Sequence, residues 1–473
     1  MTPSVARALR AIVGDAGLVA DAARRIPYEC DGLAFARQEP LLVVLPASTE
    51  EAVACMKVLH DAGLPVVARG AGTGLTGGAT PVEGGVVVGT ARMRRVLEVN
   101  ARDRYARAEA GLVNLDLTSA CSDLGLRYAP DPSSQMACTI GGNVANNSGG
   151  PHCFKYGNTS RHVLGLRVVT AEGELLDLSR PEVDPGGYDL VGLFVGSEGM
   201  FGLATEVTVR LIPAPEHVET ILALFASLDD ACEAVSEIIA ERLEPSALEI
   251  LDRLTIRAVE ASVFAAGYPP EAEAVLLIEV EGSEPECRAN VAGIEAVLAR
   301  HGVLEARRAT SERERAKLWA GRKGAYGAMG RIAPDLYVSD VVVPRTKLRE
   351  LVGRATEICH AHDLKLTNVF HAGDGNLHPN ISYDRRDADE VRRVLQASDE
   401  IMEEVIAAGG TLSGEHGIGL EKRDQMGMYF SPVDLDTMCA VREAWDGSKR
   451  LNPGKMIPVR ACNEHKPPPG AER

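Results

Sequence analysis

The stretch that most constrains the fold is Arg69 to Ala79, which holds five glycines in eleven residues. An apolar run at Leu41 to Leu45, a helix opening at Ser48 and a second apolar run at Pro65 to Ala68 precede it, which is the order of a βαβ unit. Glycines let backbone amides approach an anion closely. We therefore expect an anion-binding loop, and an ordinary wide turn is the alternative.

This first glycine stretch contains a dinucleotide fingerprint, Gly72-x-Gly74-x-x-Gly77. A Rossmann site for NAD needs a helix directly after the loop, with its N-terminus facing the pyrophosphate. Pro81 and the pair Gly84-Gly85 forbid such a helix here, and Val86 to Val88 predicts a strand instead. The sequence therefore argues against a Rossmann NAD site.

Two further stretches have a similar composition, Pro130 to Gly150 and Gly196 to Gly202. Amide and hydroxyl side chains beside bare backbone suit a polar heterocycle and phosphates. The third glycine stretch leads into a predicted strand at Leu203 to Leu211. Pro213 and Pro215 then mark a predicted domain boundary.

Histidines in glycine-rich turns point to chemistry. His371 and His378 lie seven residues apart within residues 368–380, a segment too rich in glycine for a helix. Glu415 and His416 stand side by side in a second glycine-flanked turn. Two imidazoles and a carboxylate are enough protein ligands for a divalent metal, which leaves His416 to move a proton. A structural, hydrogen-bonded histidine is the alternative for each ring taken alone.

Composition excludes several classes of protein. The chain has 473 residues, enough for two to four domains, and 45% apolar residues indicate a folded α/β or α+β protein. The net charge of −17 disfavours nucleic acid and anionic membranes as partners. No apolar run is long enough to span a bilayer, and the N-terminus lacks the pattern of a secretory signal.

Ten scattered cysteines include no Cys-x-x-Cys pair. Their spacing argues against an iron–sulfur cluster in this chain and fits reduced thiols in a cytoplasmic protein.

Beyond residue 215 the pattern changes to long amphipathic helices alternating with apolar strands, which predicts an α+β domain of ferredoxin-like type. The predicted strands are 219–225, 246–250, 274–280 and 336–343. The predicted helices are 228–242, 286–301, 311–331, 346–362, 386–408 and 433–447. The last of these runs into Leu451-Asn-Pro-Gly-Lys455.

The three glycine stretches, HAGDGNLHP, GEHGIG and LNPGK together resemble the flavoproteins of vanillyl-alcohol oxidase type, and within them the FAD-linked D-2-hydroxy-acid dehydrogenases. The resemblance spans about residues 40 to 457 and is strongest to flavoprotein subunits of glycolate oxidases and to D-lactate dehydrogenases. It implies an α+β fold with a two-subdomain FAD-binding domain, an inserted ferredoxin-like cap domain and a C-terminal helical return. The expected bounds are 1–215 for the FAD domain, 216–430 for the cap with the metal site, 431–460 for the return and 461–473 for a disordered tail.

The resemblance assigns the FAD pyrophosphate to the first glycine stretch, and the isoalloxazine and ribityl chain to the second and third. Thr73 stands where many relatives attach the flavin through a histidine, so we expect non-covalent FAD. The expected cofactor-binding residues are Arg69, Gly70, Ala71, Gly72, Thr73, Gly74, Gly77, Gly78, Pro130, Asp131, Ser134, Gly141, Gly142, Asn146, Ser148, Gly149, Glu198, Gly199, Gly202 and Asn452.

By the same resemblance His371, His378 and Glu415 bind the divalent metal. Zinc is the first expectation, and manganese and iron accept the same ligands. His416 is the expected base, which takes the hydroxyl proton of the substrate as hydride leaves for the flavin.

The resemblance also implies two substrate contacts. Arg322 matches the family arginine that pairs with the substrate carboxylate, and Asn376 lies where it can bind substrate oxygens. D-2-hydroxyglutarate dehydrogenases carry a lysine in the strand where this chain has Val338. The expected substrate is therefore a small D-2-hydroxy acid, glycolate or D-lactate.

Other interpretations of the function stay open at this point. They are a D-2-hydroxyglutarate dehydrogenase, an oxidase that uses oxygen, and a non-catalytic flavin-binding subunit. The lack of a nicotinamide site and of cysteine clusters directs electrons to an iron–sulfur subunit, an electron-transfer flavoprotein or a quinone. We expect a cytoplasmic protein without a transmembrane segment, attached to the inner face of the membrane only through a partner. A homodimer is compatible with the sequence.

Overall fold

The structure is a computed structural model that describes residues 3–179 and 186–458. The chain divides into two compact units. The first comprises Met1–Gly149, Asn158–Ala214 and Glu415–Arg473, and the second comprises Gly150–Gly157 and Pro215–Gly414. The first unit thus resumes at Glu415, earlier than the expected return at residue 431. The tail expected to be disordered, 461–473, lies outside the described residues.

Helices of the first unit pack on two main sheets. Ser48 opens the second long helix as predicted, because its hydroxyl accepts a hydrogen bond from the Glu51 amide. The helices of four residues or more are Pro3–Gly17, Ala22–Arg25, Thr49–Asp61, Asn114–Cys121, Ile140–Asn146, Leu190–Phe194, Met426–Tyr429 and Pro432–Trp445.

The first sheet of this unit holds the predicted βαβ segment. Its strands run in the order Leu18–Val19, Leu42–Val44, Val86–Gly89 and Val66–Arg69. The last three are parallel and rich in valine, and their valines are buried, as expected for a sheet covered on both faces. Val66 also forms a parallel bridge to Leu451, so the C-terminal return completes this sheet.

The second sheet is antiparallel and has five strands. In spatial order they are Val96–Asn100, Tyr105–Glu109, Leu203–Arg210, Val163–Val169 and Leu175–Asp177. Alternating residues of the central strands point into one core with Phe194 and Phe201, and Trp445 stacks on Phe201 at 5.3 Å. A separate two-stranded sheet pairs Leu126–Arg127 with Ile212–Pro213 in antiparallel orientation.

The second unit is built on one antiparallel sheet. Its main strand order is Val303–Arg308, His217–Phe225, Ala274–Gly282, Ala247–Asp252, Lys365–His371, Asn376–Leu377 and Val341–Val342. Pro379–Tyr383 pairs with both Lys365–His371 and Asp335–Val338. The helices are Cys153–Tyr156, Leu228–Ala240, Arg253–Glu260, Glu284–Arg300, Glu312–Met329, Leu348–Ala361 and Ala388–Ala407.

Two sequence expectations can be compared directly with this architecture. No helix among the described residues has the length and apolar character needed to cross a membrane. Eight cysteines of the described residues are free thiols, and six of these are buried.

A buried carboxylate ties the sheet of the second unit to a helix. Glu279 is 1% exposed, and its Oε2 accepts hydrogen bonds from Thr220 and from the Trp319 indole. Its Oε1 lies 2.9 Å from Nε2 of His152, and Arg315 is 3.4 Å away. Burial alone would raise the pKa of Glu279, but these partners outweigh burial and hold its pKa below the ordinary value.

We predict that Glu279→Gln lowers the free energy of unfolding by roughly 3 kcal/mol at pH 7, because the partly buried Arg315 and His152 lose their carboxylate partner. A depressed carboxyl pKa stabilises the fold above the ordinary value of 4.5, and this stabilisation is lost as pH falls through the folded-state pKa. The difference from wild type should therefore shrink on acidification below that value. Thermal unfolding across pH measures it, with the exposed Glu305→Gln as control. An equal difference at every pH would contradict the assignment.

Candidate functional site

The turn that carries His416 is fixed through its main chain in the first unit. The His416 carbonyl accepts a hydrogen bond from Nδ2 of Asn146 at 2.9 Å and from Oγ1 of Thr76 at 3.4 Å. The Thr76 carbonyl in return accepts from the amides of Leu420 and Glu421. The backbone of this turn is therefore bonded to the first and second glycine stretches, while the His416 ring takes no part in these bonds.

Glu198 of the third glycine stretch completes the support. Its carboxylate accepts the amides of Ile418 and Gly419, both at 2.7 Å, and it is 5% exposed. A β-carbon on Gly417 would lie 2.6 Å from Oε1 of Glu198, and φ at Gly417 is +88°, so this position needs glycine. Burial raises the pKa of Glu198, and the two amide hydrogen bonds oppose that rise.

The C-terminal motif LNPGK returns to the same place. Nδ2 of Asn452 donates to the carbonyls of Gly78 and Glu198, at 2.9 and 2.5 Å. Asn452 is 1% exposed, and its Oδ1 is buried without a hydrogen-bond partner. An unsatisfied buried oxygen costs free energy, so this atom is suited to a donor from a bound group.

The first glycine stretch leaves space beside its backbone. A β-carbon on Gly74 would meet only Oδ2 of Asp31, at 3.7 Å, and one on Gly78 only Oε2 of Glu198, at 4.0 Å. Neither position is crowded, so these two glycines, which have no side chain, leave space that a cofactor can fill. Backbone of this kind suits close approach by a bound cofactor, such as the FAD expected from the resemblance.

Arg69 serves the framework of this stretch. Its guanidinium donates to the carbonyls of Pro27, Cys30 and Ala79, and the residue is 8% exposed. A β-carbon on Gly72 would collide with the guanidinium. The expectation that Arg69 also contacts a cofactor stays a prediction.

The second glycine stretch forms a capped turn of helix. Thr139 caps the helix Ile140–Asn146, with its hydroxyl accepting from the Gly142 amide at 3.2 Å. Gly141 packs so closely against Ala110 that a β-carbon would lie 2.7 Å from that side chain. The helix ends at Asn146, the residue that binds the His416 carbonyl. The structure therefore brings Asn146 and Glu198 of the expected cofactor set to the same turn.

In the second unit His371 and His378 lie together. Their ring centroids are 5.2 Å apart with the planes at 86°, and they are 5% and 6% exposed. Nδ1 of His371 is 2.7 Å from Oε1 of Glu249, and Nδ1 of His378 is 3.6 Å from Oδ1 of Asp340. A carboxylate behind each imidazole is the usual support of a metal-binding histidine.

Glu249 holds Arg322 as well as His371. Nε of Arg322 donates to Oε2 of Glu249 at 2.6 Å, and both side chains are buried. Burial would raise the pKa of Glu249, but the Arg322 guanidinium and His371 outweigh it and hold the pKa below its ordinary value. Arg322, expected to bind a substrate carboxylate, is thus oriented by a protein carboxylate, and its substrate contact stays a prediction.

Asp340 accepts hydrogen bonds from three polar groups of this unit. Its Oδ1 accepts from Asn376 at 2.9 Å, and its Oδ2 accepts from the Ser413 hydroxyl and the Gly414 amide. Oδ1 of Asn376 is buried without a hydrogen-bond partner, so the expected substrate-binding residue has an acceptor to offer. Glu415 and His416 follow Gly414 directly in the chain and belong to the first unit.

Sequence reasoning missed Glu249 and Asp340. Both are fully buried carboxylates, within or next to apolar strands. A charge in an otherwise apolar strand was the available signal, because such a charge is rarely buried without a partner. The sequence gives no indication of which residue that partner is.

Two family models match the chain. The model described as FAD linked oxidases, C-terminal domain, matches residues 214–456, and the one described as FAD binding domain matches residues 40–179. The glycolate oxidase subunit GlcD of Escherichia coli (strain K12) is 46% identical over 440 residues, which cover 93% of this chain and 88% of that protein. GlcD of Bacillus subtilis (strain 168) is 38% identical, covering 92% and 93%. The D-lactate dehydrogenase of Anaerostipes hadrus is 32% identical, covering 89% and 90%.

Solved structures show the fold. The p-cresol methylhydroxylase with substrate bound superimposes with a TM-score of 0.82 at 17% identity, covering 97% of each chain. The 4-ethylphenol oxidase from Gulosibacter chungangensis gives 0.80 at 20% identity, again over 97% of each chain. These neighbours confirm the predicted vanillyl-alcohol oxidase type of fold. The chain therefore belongs to the FAD-linked oxidase family, binds FAD and is an oxidoreductase, as the resemblance predicted.

Proposed function

We propose that the protein oxidises a small D-2-hydroxy acid, glycolate or D-lactate, to the 2-oxo acid, using non-covalent FAD and a divalent metal. The names of the relatives, glycolate oxidase subunit and D-lactate dehydrogenase, support this class of substrate. When bound, FAD supplies the acceptor for the hydride that leaves the α-carbon of the acid. Electrons then leave for a partner such as an iron–sulfur subunit, an electron-transfer flavoprotein or a quinone.

The observation that carries the proposal is the anchoring of the His416 turn. Asn146 and Thr76 bind the His416 carbonyl, and Glu198 binds the amides that follow. One residue from each glycine stretch therefore supports the segment that bears the candidate base. The support uses main-chain atoms of this turn, and a ring nitrogen of His416 would take the proton of the substrate hydroxyl.

The metal is the second part of the proposal. His371, His378 and Glu415 would bind it, with Nε2 of each imidazole as the ligand atom, since Nδ1 faces Glu249 or Asp340. Two imidazoles and one carboxylate leave coordination positions for the substrate. A divalent cation there would lower the pKa of the substrate hydroxyl and hold the acid in one orientation.

Arg322 and Asn376 would hold the substrate. Nε and Nη2 of Arg322 bind Glu249, which leaves Nη1 to donate to a carboxylate. Oδ1 of Asn376 can accept from the hydroxyl of the acid. Val338 is 9% exposed and uncharged, so it offers nothing to a second, distal carboxylate, which favours monocarboxylic acids.

The substrate proposal predicts selective anaerobic bleaching of the flavin. Purified protein with bound FAD is mixed separately with glycolate, D-lactate, D-2-hydroxyglutarate, L-lactate and L-2-hydroxyglutarate, and the visible absorbance is followed. Glycolate or D-lactate should bleach it, and the L-acids should not. Bleaching by D-2-hydroxyglutarate alone, or by no acid, would overturn the proposed substrate class. Oxygen uptake with the active acid then distinguishes an oxidase from a dehydrogenase.

We predict that His416→Ala keeps its FAD but loses bleaching with every acid. The substitution retains the carbonyl that binds Asn146 and Thr76, so the glycine stretches keep their support. The loss of a general base should slow bleaching by roughly 100-fold or more. His360→Ala, which changes an exposed helix residue, is the matched control and should bleach normally. Normal bleaching in His416→Ala would remove this residue from the mechanism.

Metal content tests the ligand set independently of turnover. His378→Ala should contain no stoichiometric metal, because two protein ligands hold a divalent ion poorly. Glu249→Gln should weaken metal binding by about 10- to 100-fold, since it removes the carboxylate behind His371. Elemental analysis per bound FAD measures both, with His360→Ala as control. Full metal content in His378→Ala would contradict the proposed ligands.

A further inference from the structure

Lys455 is a fully buried lysine at the end of the C-terminal return. Its Nζ donates to the carbonyls of Gly78 and Thr80, at 2.7 and 2.5 Å. These carbonyls lie at the end of the first glycine stretch. The amine therefore fixes the backbone of the loop at the point where the chain leaves it.

Other charged side chains bind the same short segment. Oδ2 of Asp31 accepts from the Ala79 amide at 3.1 Å, and Arg69 donates to the Ala79 carbonyl. Asp31 and Glu198 both act electrostatically on Lys455. Asp31, Glu198, Arg69 and Lys455 thus share a buried region of the first unit, and Lys422 adds a further cation beside Glu198.

Holding the Gly78 and Thr80 carbonyls in place does not by itself require a charged donor. Asn452 already donates to the Gly78 carbonyl with a neutral amide, and it does so without the cost of burying a charge. Fully buried lysines are rare unless an anion compensates them. Lys455 binds the carbonyl of Gly78, a glycine on which a β-carbon would lie 4.0 Å from Oε2 of Glu198, and FAD carries a diphosphate with two negative charges.

We propose that Lys455 is a positioning residue for FAD, which holds the Gly78 and Thr80 carbonyls and supplies positive charge that complements the diphosphate. The proposal rests on FAD binding by this family and not on the identity of the substrate. It accounts for a charged residue in a place where a neutral donor would satisfy the same carbonyls.

The charge of Lys455 gives the proposal a pH signature. Burial lowers the pKa of Lys455 to about 7, against the opposing effect of Asp31 and Glu198, while Arg69 lowers it further. A bound diphosphate favours the ammonium form, so FAD binding above pH 7 takes up a proton. Any proton taken up by Asp31 or Glu198 on FAD binding would likewise make the FAD affinity fall as pH rises. Lys422 and Arg69 are further cations near this group. Variants of Lys455 separate its contribution to the proton uptake from the contributions of Asp31 and Glu198.

The experiment titrates apoprotein with FAD between pH 6 and pH 9 and follows quenching of flavin fluorescence. Wild-type affinity should fall as pH rises above 7, by at most about tenfold per pH unit for one proton. Lys455→Met should bind FAD about tenfold more weakly at pH 7 and should lose the lysine-dependent part of the slope. Arg92→Met is the matched control, because Arg92 binds the carbonyls of Val13 and Leu45 away from the loop. It should keep wild-type affinity and slope.

Two measurements remain decisive if Lys455→Met fails to fold. Lys455→Gln keeps N–H donors without the charge, and it should give the flatter pH profile. The wild-type profile needs no variant at all. A flat wild-type profile, or a variant with the wild-type slope, would assign Lys455 to the framework alone. No hydroxy acid is present in these titrations, so their outcome is independent of the proposed substrate.

Discussion

The carboxylate of Glu198 is the contact on which the site of the first unit depends. It accepts the amides of Ile418 and Gly419, and the Glu198 carbonyl accepts from Asn452. Residues that are more than two hundred positions apart in the chain meet at this side chain. Glu198 has φ of +49°, an uncommon conformation for a residue with a side chain, so the surrounding hydrogen bonds must compensate local strain. Without this anchor the turn that bears Glu415 and His416 would lose its fixed position.

The second unit uses buried charge in the same way. Glu249 orients Arg322 and His371, and Asp340 orients Asn376 and the residues that lead to Glu415. Neither carboxylate is exposed, so neither is available to substrate from solvent. They restrict the side chains that they bind, and a restricted ligand loses less entropy when it binds a metal or an acid. The polar groups of the site are thus set by carboxylates that lie behind them.

Local pattern and resemblance predicted much of the fold and of the candidate site. Glycine density located the three stretches, and apolar periodicity predicted helices such as Leu228–Ala240 and Leu348–Ala361 within two residues at each end. Short strands such as Tyr105–Glu109 were missed, because their alternation is brief and their partners are distant in sequence. Glu249, Asp340 and Lys455 were missed for a related reason. The roles of these three residues depend on contacts with residues distant in sequence, and hydrophobic periodicity carries no information about such contacts.

The separation between main-chain support and side-chain chemistry explains how one framework can serve different acids. The His416 turn is held by its carbonyl and by the amides that follow, which are main-chain groups. Residues of the second unit such as Val338 lie outside that network, in a strand paired with Asn380. Under the proposed substrate assignment, a change of charge at Val338 should alter which acids are accepted without disturbing the hydrogen bonds that anchor the His416 turn. In the proposed mechanism, substrate range and proton transfer can therefore vary independently, because different hydrogen bonds secure the two regions.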